Sequence, residues 1–249
     1  PGEHGPQAVT QAAVELLRPL LPSARALGIA ATGQVAEGRV TALNIDTLQG
    51  WHAFDLRGAL AGATGLETVV LNDADAAAWG EFAQGAGRGV EQFAFVTVST
   101  GVGCGLVLNG RLHLTGHGLQ SELGYALTPS GEPLELVASG GALDRWARER
   151  GWQGAREVVR RAATDPAAAG ALERSATLLA ARLADLRVVL GLERVAVGGG
   201  LGLTPEYLEQ LRAALGRLDS LYHLELVPAA LGADAGLVGA ADWASRQLN

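Results

Sequence analysis

The chain has 249 residues, and 48% of them are hydrophobic, which is enough for one large domain or two small ones with a sizeable core. The formal net charge is -7 with no basic run, so nucleic acid is an unfavourable partner, since a phosphate backbone requires clustered Lys and Arg. A single cysteine, Cys104, excludes intrachain disulfides and multi-cysteine metal clusters, and it fits a reducing cytoplasm. No apolar run reaches the roughly 18 residues that span a bilayer, so we expect no membrane partner.

The order of apolar patterns along the chain predicts an α/β protein. Helical spacing begins at residues 7–21, and two short strands, 27–33 and 39–43, precede a helix at 56–63. The remaining predicted elements are a strand at 68–71, a helix at 74–85, a hairpin at 95–109, a loop-rich region at 114–132, helices at 134–150, 155–163 and 166–190, a strand at 194–197, a helix at 205–215, a strand at 223–227 and a closing helix at 234–247. Alternation of strands with helices favours helices packed on sheets.

A glycine-rich turn stands between two β-branched runs. Thr100-Gly-Val-Gly-Cys-Gly105 has three glycines in six residues, which lets the backbone bend sharply and bring its N–H groups against a phosphate. An ordinary hairpin turn remains the alternative reading.

Two other strand ends carry polar or glycine-rich segments. Asp73, after Asn72, could cap a helix, or it could be a general base that accepts a sugar hydroxyl proton during attack on a γ-phosphoryl group. The amide of Asn72 can donate to and accept from hydroxyls. Gly198-Gly-Gly200 could be a simple helix entry or a phosphate or ribose contact. Together these segments suggest a nucleotide held in a cleft.

Two glutamates extend this candidate site. Glu122 and Glu135 could be solvated surface residues, or they could accept hydrogen bonds from the vicinal hydroxyls of a sugar. The five histidines show no metal-ligand spacing and no partner cysteines, so we expect no zinc site.

With these residues in place, nearly the whole chain resembles the ROK family of sugar kinases and repressors, within the actin-like ATPase superfamily. Residues 71–81 resemble the family's strand, Asn-Asp and helix block, and Thr97-Val-Ser-Thr-Gly-Val-Gly-Cys-Gly105 resembles its phosphate hairpin. Glu122-Leu-Gly-Tyr125 resembles the family's Glu-x-Gly-His motif, and Glu135-Leu-Val-Ala-Ser-Gly140 resembles its Glu-x-x-Ala-Ser-Gly motif. Residues 234–241 resemble the family's closing helix.

The resemblance implies a two-domain actin-like ATPase (ribonuclease H-like) α/β fold with the active site in the interdomain cleft. Residues 1–72 and the closing helix 236–249 would form the small domain, and residues 73–235 the large one. Asp73 would be the catalytic base for the 6-hydroxyl, and a homodimer is expected by analogy. The sugar would bind against Gly33, Asn44, Asn72, Asp73, Glu122, Tyr125 and Glu135. ATP with Mg²⁺ would lie over Thr100, Gly101, Val102, Gly103, Gly105, Gly198, Gly199 and Gly200.

Three features depart from the family pattern. The first-strand motif Asp-x-Gly-Gly-Thr is not found in the sequence, and we expect a preceding segment to carry it. Tyr125 stands where the family has a histidine that binds both sugar and zinc. The cysteine-rich zinc loop between Tyr125 and Glu135 is also absent. We therefore expect ATP and Mg²⁺ as cofactors, without zinc.

Within the family, four segments resemble bacterial N-acetylmannosamine kinases: Ala31-Thr-Gly33, Ala42-Leu-Asn44, Ala76-Ala-Ala-Trp79 and Phe95-Val-Thr-Val-Ser-Thr100. This resemblance predicts ATP-dependent phosphorylation of the 6-hydroxyl of N-acetylmannosamine or a related hexose. The alternatives are a glucokinase of the same family and a sugar-sensing transcriptional regulator, which would carry an additional DNA-binding domain.

Overall fold

The computed structural model describes residues 5–43 and 50–247, and it is a mixed α/β structure. The strands are β1 (Ala26–Ala31), β2 (Gln34–Ala36), β3 (Arg39–Thr41), β4 (Phe54–Asp55), β5 (Glu67–Asn72), β6 (Phe93–Val98), β7 (Val102–Leu108), β8 (Arg111–Leu112), β9 (Arg194–Gly198) and β10 (Glu225–Pro228). The helices are α1 (Gly5–Leu17), α2 (Leu56–Thr64), α3 (Asp73–Gln84), α4 (Leu134–Ala138), α5 (Gly140–Arg148), α6 (Ala155–Arg161), α7 (Pro166–Leu190), α8 (Pro205–Gly216) and α9 (Ala235–Gln247). The predicted alternation of strands and helices is confirmed.

The larger sheet has five strands in the order β10-β9-β6-β7-β8. Strands β10, β9 and β6 are parallel, and β6 and β7 form the predicted antiparallel hairpin, with Val98 opposite Val102. Helices α4 to α8 build a core on this sheet around Tyr207, Leu183 and Leu179, all fully buried. Only residues 99–101 of the hairpin lie outside its strands, because Gly103 and Gly105 of the predicted turn pair within β7. This glycine-rich turn stands at one end of a sheet that helices support from behind.

The N-terminal half contains two small sheets. Strands β1 and β5 are parallel, with Ala31 opposite Asn72, so both strands end side by side. Strands β2, β3 and β4 form a short antiparallel sheet, and α1 and α2 pack with it around Val40, Trp51 and Leu60. Among the described residues, β1 pairs with β5 alone.

Helices α3 and α9 pack closely between the two halves of the molecule. Gly80 of α3 faces the backbone of Ala235 and Gly239, and a methyl group on Gly239 would overlap the Ala76 carbonyl. On β1, a side chain at Gly28 would collide with the Ala240 carbonyl. This core also includes Phe93 of the large sheet, so one hydrophobic cluster joins segments of both predicted domains. The domain boundaries given above stay a prediction.

The structure corrects some predicted element bounds. The single helix predicted at 134–150 is two helices, because Ser139 is extended (φ -82°, ψ 168°) and its Oγ accepts from Ala142 N–H at 3.0 Å, which caps α5. The first helix ends at Leu17, and the short strands β2, β4 and β8 were not predicted. No helix in the described part of the chain is long and apolar enough to cross a membrane.

We predict that Gly239→Ala lowers the free energy of unfolding by about 2 kcal/mol or more, the cost of overpacking a close backbone contact. The matched control is Gly236→Ala on the same helix, where the nearest atom to the new methyl is Ala30 Cβ at 3.6 Å. That control should be neutral or stabilising by up to ~1 kcal/mol, because alanine favours helix. Urea denaturation of both variants measures the difference. Equal stability of the two variants would contradict the close packing of α3 on α9.

Candidate active site

The first turn of α3 sets the position of Asp73. Asn72 is the N-cap of this helix, since its Oδ1 accepts from Ala74 N–H at 2.8 Å and from Asp75 N–H at 3.3 Å. The Asn72 side chain also donates from Nδ2 to the Gly33 carbonyl at 2.9 Å, which ties the end of β1 to the helix. The capping role considered for Asp73 therefore belongs mainly to Asn72.

Asp73 is the first helical residue, and its side chain is exposed. Its Oδ2 accepts a hydrogen bond from the Thr32 hydroxyl at 2.8 Å, and its Oδ1 accepts from Ala74 N–H at 2.9 Å. Asp73 thus presents an oriented carboxylate to the adjoining cavity.

The cavity next to Asp73, which we call the first cavity, has a volume of about 430 Å³. It lies where the ends of β1 and β5 meet the glycine-rich turn of the β6–β7 hairpin. Its lining includes Thr32, Gly33, Leu43, Asn72, Asp73, Ala74, Thr100, Gly101, Val102, Gly103, Cys104, Glu122, Tyr125, Glu135, Leu136, Ser139 and Arg145. Three carboxyl groups and one guanidinium line it, so it suits a neutral polyhydroxyl ligand better than an anion.

The acidic groups of the first cavity influence one another. Burial raises the pKa of Glu122, and the charges of Asp73 and Glu135 raise it further. Burial also raises the pKa of Tyr125, with additional contributions from Glu135 and Glu122, so its hydroxyl keeps its proton at neutral pH. Glu135 reaches the turn from α4, and its Oε2 lies 3.4 Å from Val102 N–H. These groups can accept from sugar hydroxyls, and the tyrosine can also donate.

A second cavity of about 400 Å³ lies on the other side of the turn. Thr100 lines both cavities, so the two spaces meet at the glycine-rich turn. The other residues of the second cavity are Ser99, Gly140, Asp144, Gln153, Ala155, Arg156, Val159, Gly200, Leu201 and Thr204. A ligand in one cavity can therefore be adjacent to a ligand in the other.

Helix α5 holds the turn in place. Gly140 N–H donates to the Ser99 carbonyl at 2.7 Å, and Gly141 N–H donates to the Thr100 carbonyl at 3.1 Å. Side chains at these two glycines would meet the same carbonyls, at 2.6 Å and 2.5 Å respectively. The Ala-Ser-Gly segment before α5 thus provides close backbone support for the turn.

The structure brings most of the predicted site residues together. Gly33, Asn72, Asp73, Glu122, Tyr125 and Glu135 line the first cavity with Thr100, Gly101, Val102 and Gly103, and Gly200 lines the second. Asn44 lies outside the described residues.

Three glycines predicted to contact ATP line neither cavity. Gly105 packs against α3, where a side chain would lie 2.6 Å from Ala78 Cβ. A side chain at Gly198 would lie 2.8 Å from the ring of Phe95, and Gly199 has a φ of +85° in the turn that leaves β9. Close packing or backbone conformation therefore accounts for glycine at these positions.

Sequence reasoning did not identify several residues that line the cavities. Thr32, Ser139 and Arg145 line the first cavity, and Asp144, Gln153 and Arg156 line the second. Thr32 could have been found, because it follows β1, and parallel neighbouring strands end at the same edge of a sheet. Arg145, whose guanidinium donates to the Leu136 carbonyl at 2.7 Å, carried no comparable signal.

Within residues 5–43 and 50–247, no group of three or more His, Cys, Asp or Glu side chains is placed to hold a metal ion.

Comparison with known proteins agrees with this architecture. The structure of a ROK hexokinase from Thermus thermophilus superposes with a TM-score of 0.84 at 31% identity, covering 100% of this chain and 89% of that one. A ROK family glucokinase from Streptomyces griseus, solved with glucose and AMPPNP, gives a TM-score of 0.81 at 27% identity over 99% of this chain and 89% of that one. The fold is thus the two-lobed actin-like ATPase fold of ROK sugar kinases, as the sequence predicted.

The family profile described as ROK family matches residues 1–247, and the chain belongs to this family. The N-acetylmannosamine kinase of Salmonella arizonae is 37% identical over 253 aligned positions, covering 97% of this chain and 86% of that protein. The predicted family and fold are confirmed, and the relatives agree with the predicted kinase activity.

Proposed function

We propose that this protein is an ATP-dependent kinase that phosphorylates the 6-hydroxyl of N-acetylmannosamine or a closely related hexose. The observation that carries the proposal is the position of Asp73, whose exposed carboxylate lines a cavity that meets a second cavity at Thr100. Two adjoining spaces with a carboxylate at one of them suit direct transfer of a phosphoryl group from a nucleotide to a sugar. The related glucokinase from Streptomyces griseus was solved with a hexose and a nucleotide analogue together.

In the proposed reaction, Asp73 accepts the proton of the sugar hydroxyl as the hydroxyl oxygen attacks the γ-phosphoryl group. The bond from the γ-phosphorus to the bridging oxygen breaks, and ADP leaves. The Thr32 hydroxyl, 2.8 Å from Asp73 Oδ2, orients the carboxylate and leaves other lone pairs for the sugar. Phosphoryl transfer depends mainly on positioning and charge stabilisation, so one base and two well-placed ligands are the main requirements of the protein.

The remaining residues have binding roles in this proposal. Glu122 and Glu135 accept from sugar hydroxyls, and Asn72 donates through the second hydrogen of its Nδ2. Tyr125 donates through its hydroxyl and offers an apolar ring edge. The nucleotide occupies the second cavity, with its phosphates near Thr100 and Gly101. Mg²⁺ bound to those phosphates would supply positive charge next to a cavity that three carboxyl groups and one guanidinium line.

Two alternatives use the same cavity. A glucokinase would differ in the preferred sugar, and a sugar-sensing regulator would bind the sugar without transferring phosphate. The kinase is favoured over the regulator because Asp73, which a purely sensing site does not need, is oriented by a dedicated hydrogen bond from Thr32. The mannosamine kinase is favoured by the 37% identity to the Salmonella arizonae N-acetylmannosamine kinase.

We predict that Asp73→Asn lowers kcat by roughly 10²-fold or more, the scale expected for loss of a general base. The amide keeps the size of the side chain and still accepts from Thr32, so the Kd for the sugar should stay within a few-fold of wild type. Coupled ADP-release kinetics on the complete gene product, with calorimetry for the sugar, measure both quantities. The control is Glu209→Gln, an exposed carboxylate on α8, which should leave both unchanged. Near-normal turnover by Asp73→Asn would refute the assignment of the base.

We predict that kcat/KM is highest for N-acetylmannosamine and clearly lower for N-acetylglucosamine and glucose. Tyr125 can pack its ring against an acetyl methyl while its hydroxyl meets a polar group, and a site built around specific polar groups rejects analogues lacking them. The same ADP-release assay over the three sugars decides the order. A preference for glucose of tenfold or more would assign the protein to the glucokinase branch and leave the kinase proposal intact.

A further inference from the structure

Asp75 is a buried carboxyl group that the proposed reaction does not use. It lies in the first turn of α3, two residues after Asp73, and only 1% of it is exposed. Its Oδ2 accepts a hydrogen bond from Gln120 Nε2 at 2.7 Å. Its Oδ1 has no hydrogen-bond partner among the described residues. Because burying a carboxyl group is costly, its position next to the candidate base calls for a physical reason.

Gln120 belongs to the loop that leads to Glu122, and it organises that loop. Its Oε1 accepts hydrogen bonds from the Thr115 hydroxyl at 2.9 Å and from Thr115 N–H at 3.4 Å. These two bonds connect the beginning of the loop to its end. The same loop is bound to the small sheet, since Gln34 Nε2 donates to the His117 carbonyl at 2.6 Å. The Asp75–Gln120 hydrogen bond therefore links the helix of the candidate base to a loop that already bridges β2 and the sugar cavity.

The residue between Gln120 and Glu122 has an unusual backbone conformation. Ser121 has a φ of +58°, in the left-handed region that residues other than glycine rarely occupy. Such a conformation costs roughly 1–3 kcal/mol and persists only where the surroundings hold it. Because Glu122 follows directly, any relaxation at Ser121 would redirect the Glu122 side chain.

We propose that Asp75 is a positioning residue of the sugar site, which through its hydrogen bond with Gln120 holds the strained Ser121 segment and so directs Glu122 at the sugar. The inference rests on the proposed sugar-binding role of the first cavity. Asp75 need not touch the sugar, because it acts through Gln120.

The electrostatic surroundings favour a neutral Asp75 carboxyl group near physiological pH. Burial is the main cause that raises the pKa of Asp75 to about 7. The hydrogen bond from Gln120 lowers this pKa, and the charges of Glu122 and Asp73 raise it. The other titratable or charged groups that face it are Cys104 of β7, together with Glu37 and Arg57, which line a neighbouring cavity of about 280 Å³ with Asp75. A neutral carboxyl group keeps its carbonyl oxygen available to Gln120 without adding a fourth negative charge beside Asp73, Glu122 and Glu135.

A pH-dependent stability follows from the raised pKa. Between the ordinary value of 3.8 and about 7, the folded protein holds a proton on Asp75 that the unfolded chain has lost. The Asp75 contribution to stability therefore decreases as the pH rises through this window and changes little above it. Relative to wild type, Asp75→Asn should raise the Tm by several degrees more at pH 8 than at pH 5, because the amide never ionises.

The test compares Asp75→Leu, which removes the acceptor, with Asp75→Asn, which keeps it. We expect Asp75→Leu to raise the KM for the sugar about tenfold, the effect of losing one buried hydrogen bond, with the KM for ATP within about twofold. Asp75→Asn should stay within about threefold of wild type for both substrates. Gln120→Leu should reproduce Asp75→Leu, and the double leucine variant should be no worse than either single one. Thr68→Val, at a buried position at the start of β5, controls for general destabilisation and should leave the sugar KM unchanged.

Hydrogen exchange separates this inference from the proposed function. If the wild type transfers no phosphate, the kinase proposal fails, but amide exchange of residues 115–123 should still accelerate in Asp75→Leu and stay unchanged in Asp75→Asn. If Asp75→Leu does not fold, Gln120→Leu answers the same question. Unchanged exchange and an unchanged sugar KM in a folded leucine variant would overturn the inference. Equal impairment by Asp75→Asn and Asp75→Leu would overturn it as well.

Discussion

The contact between α3 and α9 is the constraint on which the candidate site depends. Gly80 and Gly239 let the two backbones meet with no side chain between them, and Gly28 lets β1 approach α9 in the same way. On its other side, α3 packs against the hairpin strand β7 at Gly105. The N-terminus of α3 is thereby fixed between the ends of β1 and β5 and the glycine-rich turn, where the Asp73 carboxylate lines the first cavity.

Charge gives the cavity its chemical character. Three carboxyl groups line the first cavity, those of Asp73, Glu122 and Glu135. Among the described residues, Arg145 is the only cationic side chain in this lining. Such a space suits hydroxyl groups better than phosphate. Burial and like charge raise the pKa values of Glu122 in this cavity and of Asp75 beside it.

Much of the site could be predicted from the sequence because its signals are local. Asn72 and Asp73 stand at the end of an apolar run, and the three glycines of the hairpin lie within five residues of one another. Strand ends and turn chemistry were therefore sufficient. The Asp75–Gln120 hydrogen bond joins residues 45 positions apart, and no periodicity marks such a pair. The break at Ser139 was missed because the apolar pattern continues through it, and only the capping hydrogen bond reveals two helices. Gly105, Gly198 and Gly199 line neither cavity, and close packing or backbone conformation by itself requires glycine at these positions.

The central claim is that Asp73 faces the hydroxyl to be phosphorylated at the junction of the two cavities. The most direct measurement is a crystal structure of the complete gene product with N-acetylmannosamine and a non-hydrolysable ATP analogue. The account predicts the 6-hydroxyl oxygen within ~2.6–3.2 Å of an Asp73 carboxylate oxygen, with the terminal phosphate of the analogue at the turn near Thr100. A sugar bound outside the first cavity, or one that turns a different hydroxyl toward Asp73, would contradict it.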